Sequence, residues 1–435
     1  MDQDDWHVQA EQMKSLARVE LPPEEQRSVV RHLLKGCEPC ITVARNLFFP
    51  RSEEMDYSGV LRRLELASVL ACNDVEVERR LGAEIWEQIL KPLDAGGRLL
   101  AIRNEPRLRL WGVHERVLLA AAGVMRQNPV EAADLAHLAL AVAESLDARS
   151  YGEERIQDFR AAAWSRVGNA KRLVGDLPGA LSALEAAEEA LTRGTHDPLE
   201  EADTISIRAS VQNDLGDPEG ATQALRRAIC LARSVGDRRL AGRFTLKQSS
   251  CIGWLDPARG LRLAEDGLGL LGTTDDPHLE LVGRHLLALW NHESGEVEEA
   301  RAILETYRYL YAKHSDVFWS GRLLDLDARI NRSEGDLATA ERFFRELVEL
   351  YARAHFDFDL ALATLDLAET LSLQSRWEEA AELLAALQPV LRHWNLNSDL
   401  LRAWAILREG LERRVAQATS FQALATTLRH LWYRR

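Results

Sequence analysis

A glycine, an acidic residue and, four positions after the acid, a small residue recur about every 40 residues through most of this chain. The copies are Gly175-Asp176 with Ala180, Gly216-Asp217 with Ala221, Gly295-Glu296 with Ala300 and Gly335-Asp336 with Ala340. Ser375-Arg376 with Ala380 is a degenerate copy, and Asp256-Pro257-Ala258-Arg259-Gly260 fills the gap after the second. The small residues Ala180, Ala221, Gly260, Ala300, Ala340 and Ala380 therefore stand 41, 39, 40, 40 and 40 positions apart. A unit of this length cannot bury an apolar face alone and has to stack on its neighbours. The period predicts one helix pair per unit and an all-α, right-handed solenoid. Such a fold offers a long concave surface, which favours binding over catalysis.

Composition agrees. At 435 residues the chain exceeds one ordinary compact core, but an array grows without one. Ala, Leu, Arg and Glu dominate and no long run is rich in Val, Ile or Thr, so helix is expected throughout. A net charge of −14 and a pI near 5.5 argue against non-specific attachment to nucleic acid, whose affinity comes from neutralising phosphates. The basic end, Arg429 to Arg435, is short and suits the negative end of a terminal helix. The sequence has no apolar run of about eighteen residues, and its N-terminus, Met1-Asp2-Gln3-Asp4-Asp5, is acidic where a signal peptide is basic. A cytoplasmic protein with no membrane partner is expected. Five cysteines, an odd number, then read as reduced thiols or metal ligands rather than a disulfide framework.

Four segments follow from the patterning. Residues 1–50 form a small module, closed by Phe49-Pro50-Arg51-Ser52. Its Pro22-Pro23-Glu24-Glu25 starts a helix and Gly36 stops it. Residues 51–112 read as a helical cap or linker. Leu61, Leu64, Leu66 and Leu70 mark one helix; Leu81, Ile85, Trp86, Ile89 and Leu90 mark a second, ended by Pro92 and Gly96-Gly97. Residues 113–412 are the array, opening with an irregular repeat from Val113 to Leu146 that turns at Asn128-Pro129. Residues 413–435, with Val415, Phe421, Leu424, Leu428, Leu431 and Trp432, read as a closing helix.

Within the array, Trp164, Val167, Gly168, Ala180, Leu184 and Ala187 follow the large and small anchor order of the tetratricopeptide repeat. The array resembles that family, in a bacterial form. The small pairs Ala209 and Ala221, Ala288 and Ala300, Ala328 and Ala340, Ala368 and Ala380 would let paired helices approach closely. The 40-residue period exceeds the family's usual 34, so longer helices or longer loops must absorb the difference.

One constellation carries chemistry. His32 falls in the last turn of a helix, and Cys37-Glu38-Pro39-Cys40 follows in the next turn. Two thiolates and an imidazole suit three corners of a zinc tetrahedron, and His7, 25 residues upstream of His32, is the candidate fourth ligand. Two other readings stay open: a dithiol redox pair, although no strand precedes it, or idle thiols in an apolar core. The segment resembles the zinc-binding anti-sigma domain. That likeness implies structural zinc on His7, His32, Cys37 and Cys40, and a sigma factor as partner. Cys72, Cys230 and Cys251 read as small core residues.

No Walker loop, nucleophile elbow, His-Glu-x-x-His or Rossmann fingerprint occurs, so no catalytic residue is assigned. The expected function is a non-enzymatic scaffold that binds a protein or peptide in its groove. Alternatives are sigma-factor sequestration, or an adaptor subunit for a partner enzyme such as a protease. Counting from each turn in the tetratricopeptide register gives the groove residues Asn169, Arg172, Ser206, Ser210, Asn213, Thr245, Ser249, His285, His292, Arg322, Arg329 and Arg332. The late arginines suggest a docking site for an acidic or C-terminal peptide end, unless Asp325, one helical turn before Arg329, neutralises them internally.

Overall fold

The computed structural model describes residues 7–17, 21–34, 37–48, 75–125, 127–272, 276–314, 316–393, 404, 407–414 and 417–432. All regular structure among them is helical. They pack as two compact units, Met1–Ala120 with Leu138–Gly152, and Ala121–His137 with Glu153–Arg435.

The first unit begins with α1 (Ala10–Ala17), α2 (Pro23–Leu34) and α3 (Glu38–Phe48). Val8, Met13, Val29 and Cys40 form their small core. The helix expected around Leu61 to Leu70 and the residue Cys72 lie outside the described residues. Next, α4 (Val75–Ile85) runs on through a π-helical turn, Trp86–Leu90, as the Leu81 to Leu90 pattern requires. Gly96-Gly97 does not end this helix. It lies in the first turn of α5 (Ala95–Asn104), where Asp94 caps by accepting a hydrogen bond from the Gly97 amide at 2.7 Å. Helix α4 meets α6 (Trp111–Val124) backbone to backbone: a Cβ on Gly82 would fall 2.1 Å from the Gly112 carbonyl carbon. Helices α7 (Pro129–Ser145) and α8 (Ala148–Tyr151) follow; the Asn128 side chain caps α7 by accepting from the Glu131 amide.

Six helix pairs then repeat, as the period predicts. Inner helices are α9 (Glu153–Leu173), α11 (Pro198–Asp214), α13 (Arg238–Ile252), α15 (Pro277–Glu293), α17 (Val317–Glu334) and α19 (Asp357–Leu373). Their partners are α10 (Leu177–Thr192), α12 (Pro218–Ser234), α14 (Pro257–Leu271), α16 (Val297–Lys313), α18 (Leu337–Ala354) and α20 (Trp377–His393). Helices of 15 to 21 residues absorb the extra length of the repeat.

The recurring signature now has a physical reading. Gly175, Gly216, Gly295 and Gly335 all have positive φ, ending α9, α11, α15 and α17 in the left-handed conformation that costs glycine nothing. The next amide folds back onto the inner helix, as in Asp176 N to Lys171 O and Asp336 N to Asn331 O, both 2.9 Å. The acidic residue then caps the outer helix, with Asp176, Asp217 and Asp336 each accepting from an amide three residues on. Glu296, one methylene longer, makes no such bond. Ala180, Ala221, Ala300, Ala340 and Ala380 are all fully buried where paired helices touch. Gly168 is held small in the same way, since a Cβ there would lie 3.0 Å from Leu184. Phe421, Leu424 and Leu428 of α21 (Ala418–Trp432) join the last core, as expected of a closing helix. Val415, the side chains of Leu431 and Trp432, and the basic terminus lie outside what is described.

Candidate functional site

Two sites come from the sequence reading, one in each unit. In the first, Cys37 immediately precedes α3 and Cys40 lies in its first turn, close to His7 ahead of α1 and His32 in the last turn of α2. The ligand atoms of His7, His32, Cys37 and Cys40 all lie within 4.8 Å of one another. His7 Nδ1 is 3.3 Å from Cys37 Sγ and 3.7 Å from Cys40 Sγ. A zinc tetrahedron with ordinary bond lengths has nitrogen–sulfur edges of about 3.5 Å, so the donors fit that ion with little movement. The Val8 amide donates to Cys40 Sγ at 3.3 Å, the kind of outer contact that steadies a thiolate ligand. Burial pushes the Cys40 thiol up, with Cys37 adding to the effect, and a divalent cation would reverse it.

In the second unit, the groove residues fall into two groups. Thr245, Ser249 and His285 turn into the packing between helices. Thr245 donates to the Ala241 carbonyl; Ser249 donates to the Gly260 carbonyl and accepts from Trp290 Nε1 at 2.9 Å. His285 shares a 2.8 Å hydrogen bond with Tyr311, and burial lowers its pKa to about 3, with Arg322 opposing protonation as well. The others line the inner helices. Arg172 pairs with Asp214 at 2.7 Å and donates to Asn169. Ser210 donates to the Ser206 carbonyl, Asn213 is half-buried, and His292 meets Ser333 of the next inner helix at 3.0 Å.

The late arginines are neutralised internally. Arg329 is buried and contacts Asp325 at 3.0 Å, Asp366 at 2.7 Å and Glu293 at 3.8 Å. Arg332 pairs with Asp366 and Glu369, both at 3.0 Å, and Arg322 with Asp359 at 3.4 Å. Burial alone would lower the pKa of Arg329, but its three carboxylates outweigh it and raise the pKa. Three arginines thus face five carboxylates, a formal charge of 3 − 5 = −2 on the inner side of α15 to α19, reduced by whatever fraction of Asp359 and Glu369 stays protonated, since burial pushes both carboxyls up.

A group two or three residues away from the expected register carries the opposite sign. Arg166 and Arg243 share Asp203 at 2.8 and 2.6 Å, and Lys247 Nζ donates to the Ser206 carbonyl at 2.6 Å and to its hydroxyl at 2.9 Å. With Arg172 and Asp214 the count is 4 − 2 = +2, reduced by whatever fraction of Glu200 is ionised, since burial beside Asp203 pushes that carboxyl up to about 7. The sequence held a signal for these residues: Asp203 to Arg243 is 40 positions and Ser206 to Lys247 is 41, the repeat period itself.

Between α17, α18 and α19 lies a cavity of about 70 Å³, walled by Tyr351, Phe358, Leu362 and the Arg322–Asp359 pair, with Trp254 across from them. Trp254 belongs to the turn between α13 and α14, two to three repeats earlier. Only the inner side of a curved array brings such distant repeats together. Cys251 is buried as expected, whereas Cys230 is exposed because α12 turns that position outward.

No protein-family model matches the sequence, and no curated protein matches it. Among solved structures, the chain resembles a Rap protein complexed with competence and sporulation factor: 13% identity, TM-score 0.56, covering 72% of this chain and 85% of that one. It resembles aspartyl phosphate phosphatase F from Bacillus subtilis at 12% identity and TM-score 0.51, over 90% and 96% of the two chains. A signal-transduction ATPase with a tetratricopeptide-repeat sensor from Pyrococcus horikoshii matches at 12% identity and TM-score 0.50, over 94% and 72%. At these identities the likeness establishes the fold. The chain is an all-α solenoid of tetratricopeptide-like helix pairs. Among the described residues no helix is long and apolar enough to cross a membrane.

Proposed function

We propose that this chain is a non-enzymatic, peptide- or protein-binding repeat scaffold of a bacterial regulatory system, acting in the cytoplasm. The observation that carries this reading is the cavity where Trp254 faces Tyr351 and Phe358 on the inner side of the array. Aromatic walls beside a balanced ion pair suit an apolar side chain on a polar backbone. The complex of a Rap protein with competence and sporulation factor supports the reading by analogy of fold. Capture from a host lysate by the full chain, compared with Trp254→Ala and Phe358→Ala variants, tests it. A partner retained by the parent and lost by both variants at similar melting temperatures supports the site. Equal capture by all three moves binding elsewhere.

A second reading rests on the four converging donors of the N-terminal module. One structural zinc held by His7, His32, Cys37 and Cys40 would fix α1 to α3 as a surface for a sigma factor, while the array senses a ligand. Co-purification of a sigma factor that depends on Cys37 and Cys40 but not on Trp254 separates this reading from the first. A partner enzyme docked as on an adaptor would instead follow the array.

A further inference from the structure

Lys247 is placed unlike the other cations of the inner face. Its ammonium lies deep between α11 and α13, donates only to the neutral oxygens of Ser206, and has no carboxylate within 4.0 Å among the described residues. Of the acids on the same face, Asp203 is held by Arg166 and Arg243, and Asp214 by Arg172. The side chain as a whole is half-buried, and its two hydrogen bonds to Ser206 leave one of the three ammonium N–H groups for a ligand that reaches between the helices. Burial of a charge without a counter-ion is costly, and a carboxylate from outside would offset that cost.

The inner face is also polar from end to end, +2 around α9 to α13 and −2 around α15 to α19 on the counts above. A short peptide with free termini is itself such a dipole. From this we infer that the groove holds an extended peptide with its C-terminal carboxylate on Lys247 and its ammonium end toward Asp359 and Glu369. The inference rests on the proposed peptide-binding function and gives it a direction. From α13 to α19 is three inner-helix spacings, at most about 30 Å, which an extended peptide of about nine residues spans.

The test uses soluble random nonapeptides in three pools: free termini, amidated C-terminus and acetylated N-terminus. Each is equilibrated with the full chain and with Lys247→Met, and the retained peptides are quantified by mass spectrometry. Amidation should weaken retention by the parent about tenfold or more. Lys247→Met should retain the free pool only as well as the amidated one, while still responding to acetylation. The variant should melt no lower than the parent, since it removes a buried charge. An unchanged ratio of free to amidated peptide in Lys247→Met overturns the assignment, as does a parent indifferent to amidation, though peptide binding itself then stands. If no pool is retained by the parent, the peptide-binding reading fails and this inference with it.

Discussion

Arg329 and Asp366 meet at 2.7 Å across two successive inner helices, 37 residues apart and both buried. The pair is one rung of a network that also takes in Asp325, Arg332, Glu369 and Glu293. Removing one partner strands a charge out of water. Asp366→Ala should therefore cost about 3 kcal/mol in urea denaturation, against under about 1 kcal/mol for an exposed pair such as Arg353 and Glu349. Similar losses at both positions would mean that water reaches the network.

The degenerate repeat carries a removable strain. Ser375 stands where four other repeats have glycine and keeps the same left-handed backbone, with φ of 64°. Ser375→Gly should stabilise the chain by about 1 kcal/mol, because the crowding of its Cβ disappears. A loss of stability would show that the serine hydroxyl makes up for the strain.

Trp290 fits because two neighbours are glycine. A Cβ on Gly253 would fall 2.3 Å from the indole, and one on Gly260 would meet the Gly253 Cα at 2.7 Å. Gly253→Ala should cost about 1–3 kcal/mol and change the emission of the buried indole. Parental stability and emission would show that the backbone there yields freely.

Protein purified without added metal should contain about one equivalent of zinc, absent from a Cys37→Ser, Cys40→Ser double variant. Chelation should lower the melting temperature of the parent alone. A metal-free parent indifferent to chelator would leave the thiols as core residues.

His285 sets a pH dependence. Its folded pKa of about 3 lies below the unfolded value near 6.5, so the unfolded chain binds the extra proton. Stability from this group is complete above pH 6.5 and is lost as pH falls from there toward 3. His114, lowered to about 4 by burial, acts in the same direction in the other unit. His285→Gln should lower stability at neutral pH and flatten its decline between about pH 6 and 4 by up to one proton, roughly 1.4 kcal/mol per pH unit. A parallel decline would assign the acid sensitivity to other groups.

The architecture was legible because four of the six turns within a helix pair repeat a left-handed glycine, an acidic residue and a small residue at the close approach, with Leu255 and Ser375 in the glycine's place in the other two. The inner face was less so. Small rotations of each helix decide whether Thr245 or Lys247 meets the groove, and counting from a turn does not resolve them. The sequence offers Asp325 but not Asp366 as a partner for Arg329, because Asp366 lies one repeat away and only the stacked structure brings the two together. The convergence of His7, His32, Cys37 and Cys40 is legible from residue type and spacing because all four lie on short elements within one small module.

Most bonds between neighbouring repeats join residues about one period apart, such as Arg172 to Asp214, Lys247 to Ser206 and Trp290 to Ser249. Contacts so local let folding begin at any pair and spread outward. Trp254 differs in kind, since it shares a cavity with Phe358 and Leu362, 104 and 108 positions further along the chain. That closure can form only when every intervening repeat is in place. The small rotation from each repeat to the next is summed there, so the spacing between Trp254 and Phe358 is a gauge of the array's curvature.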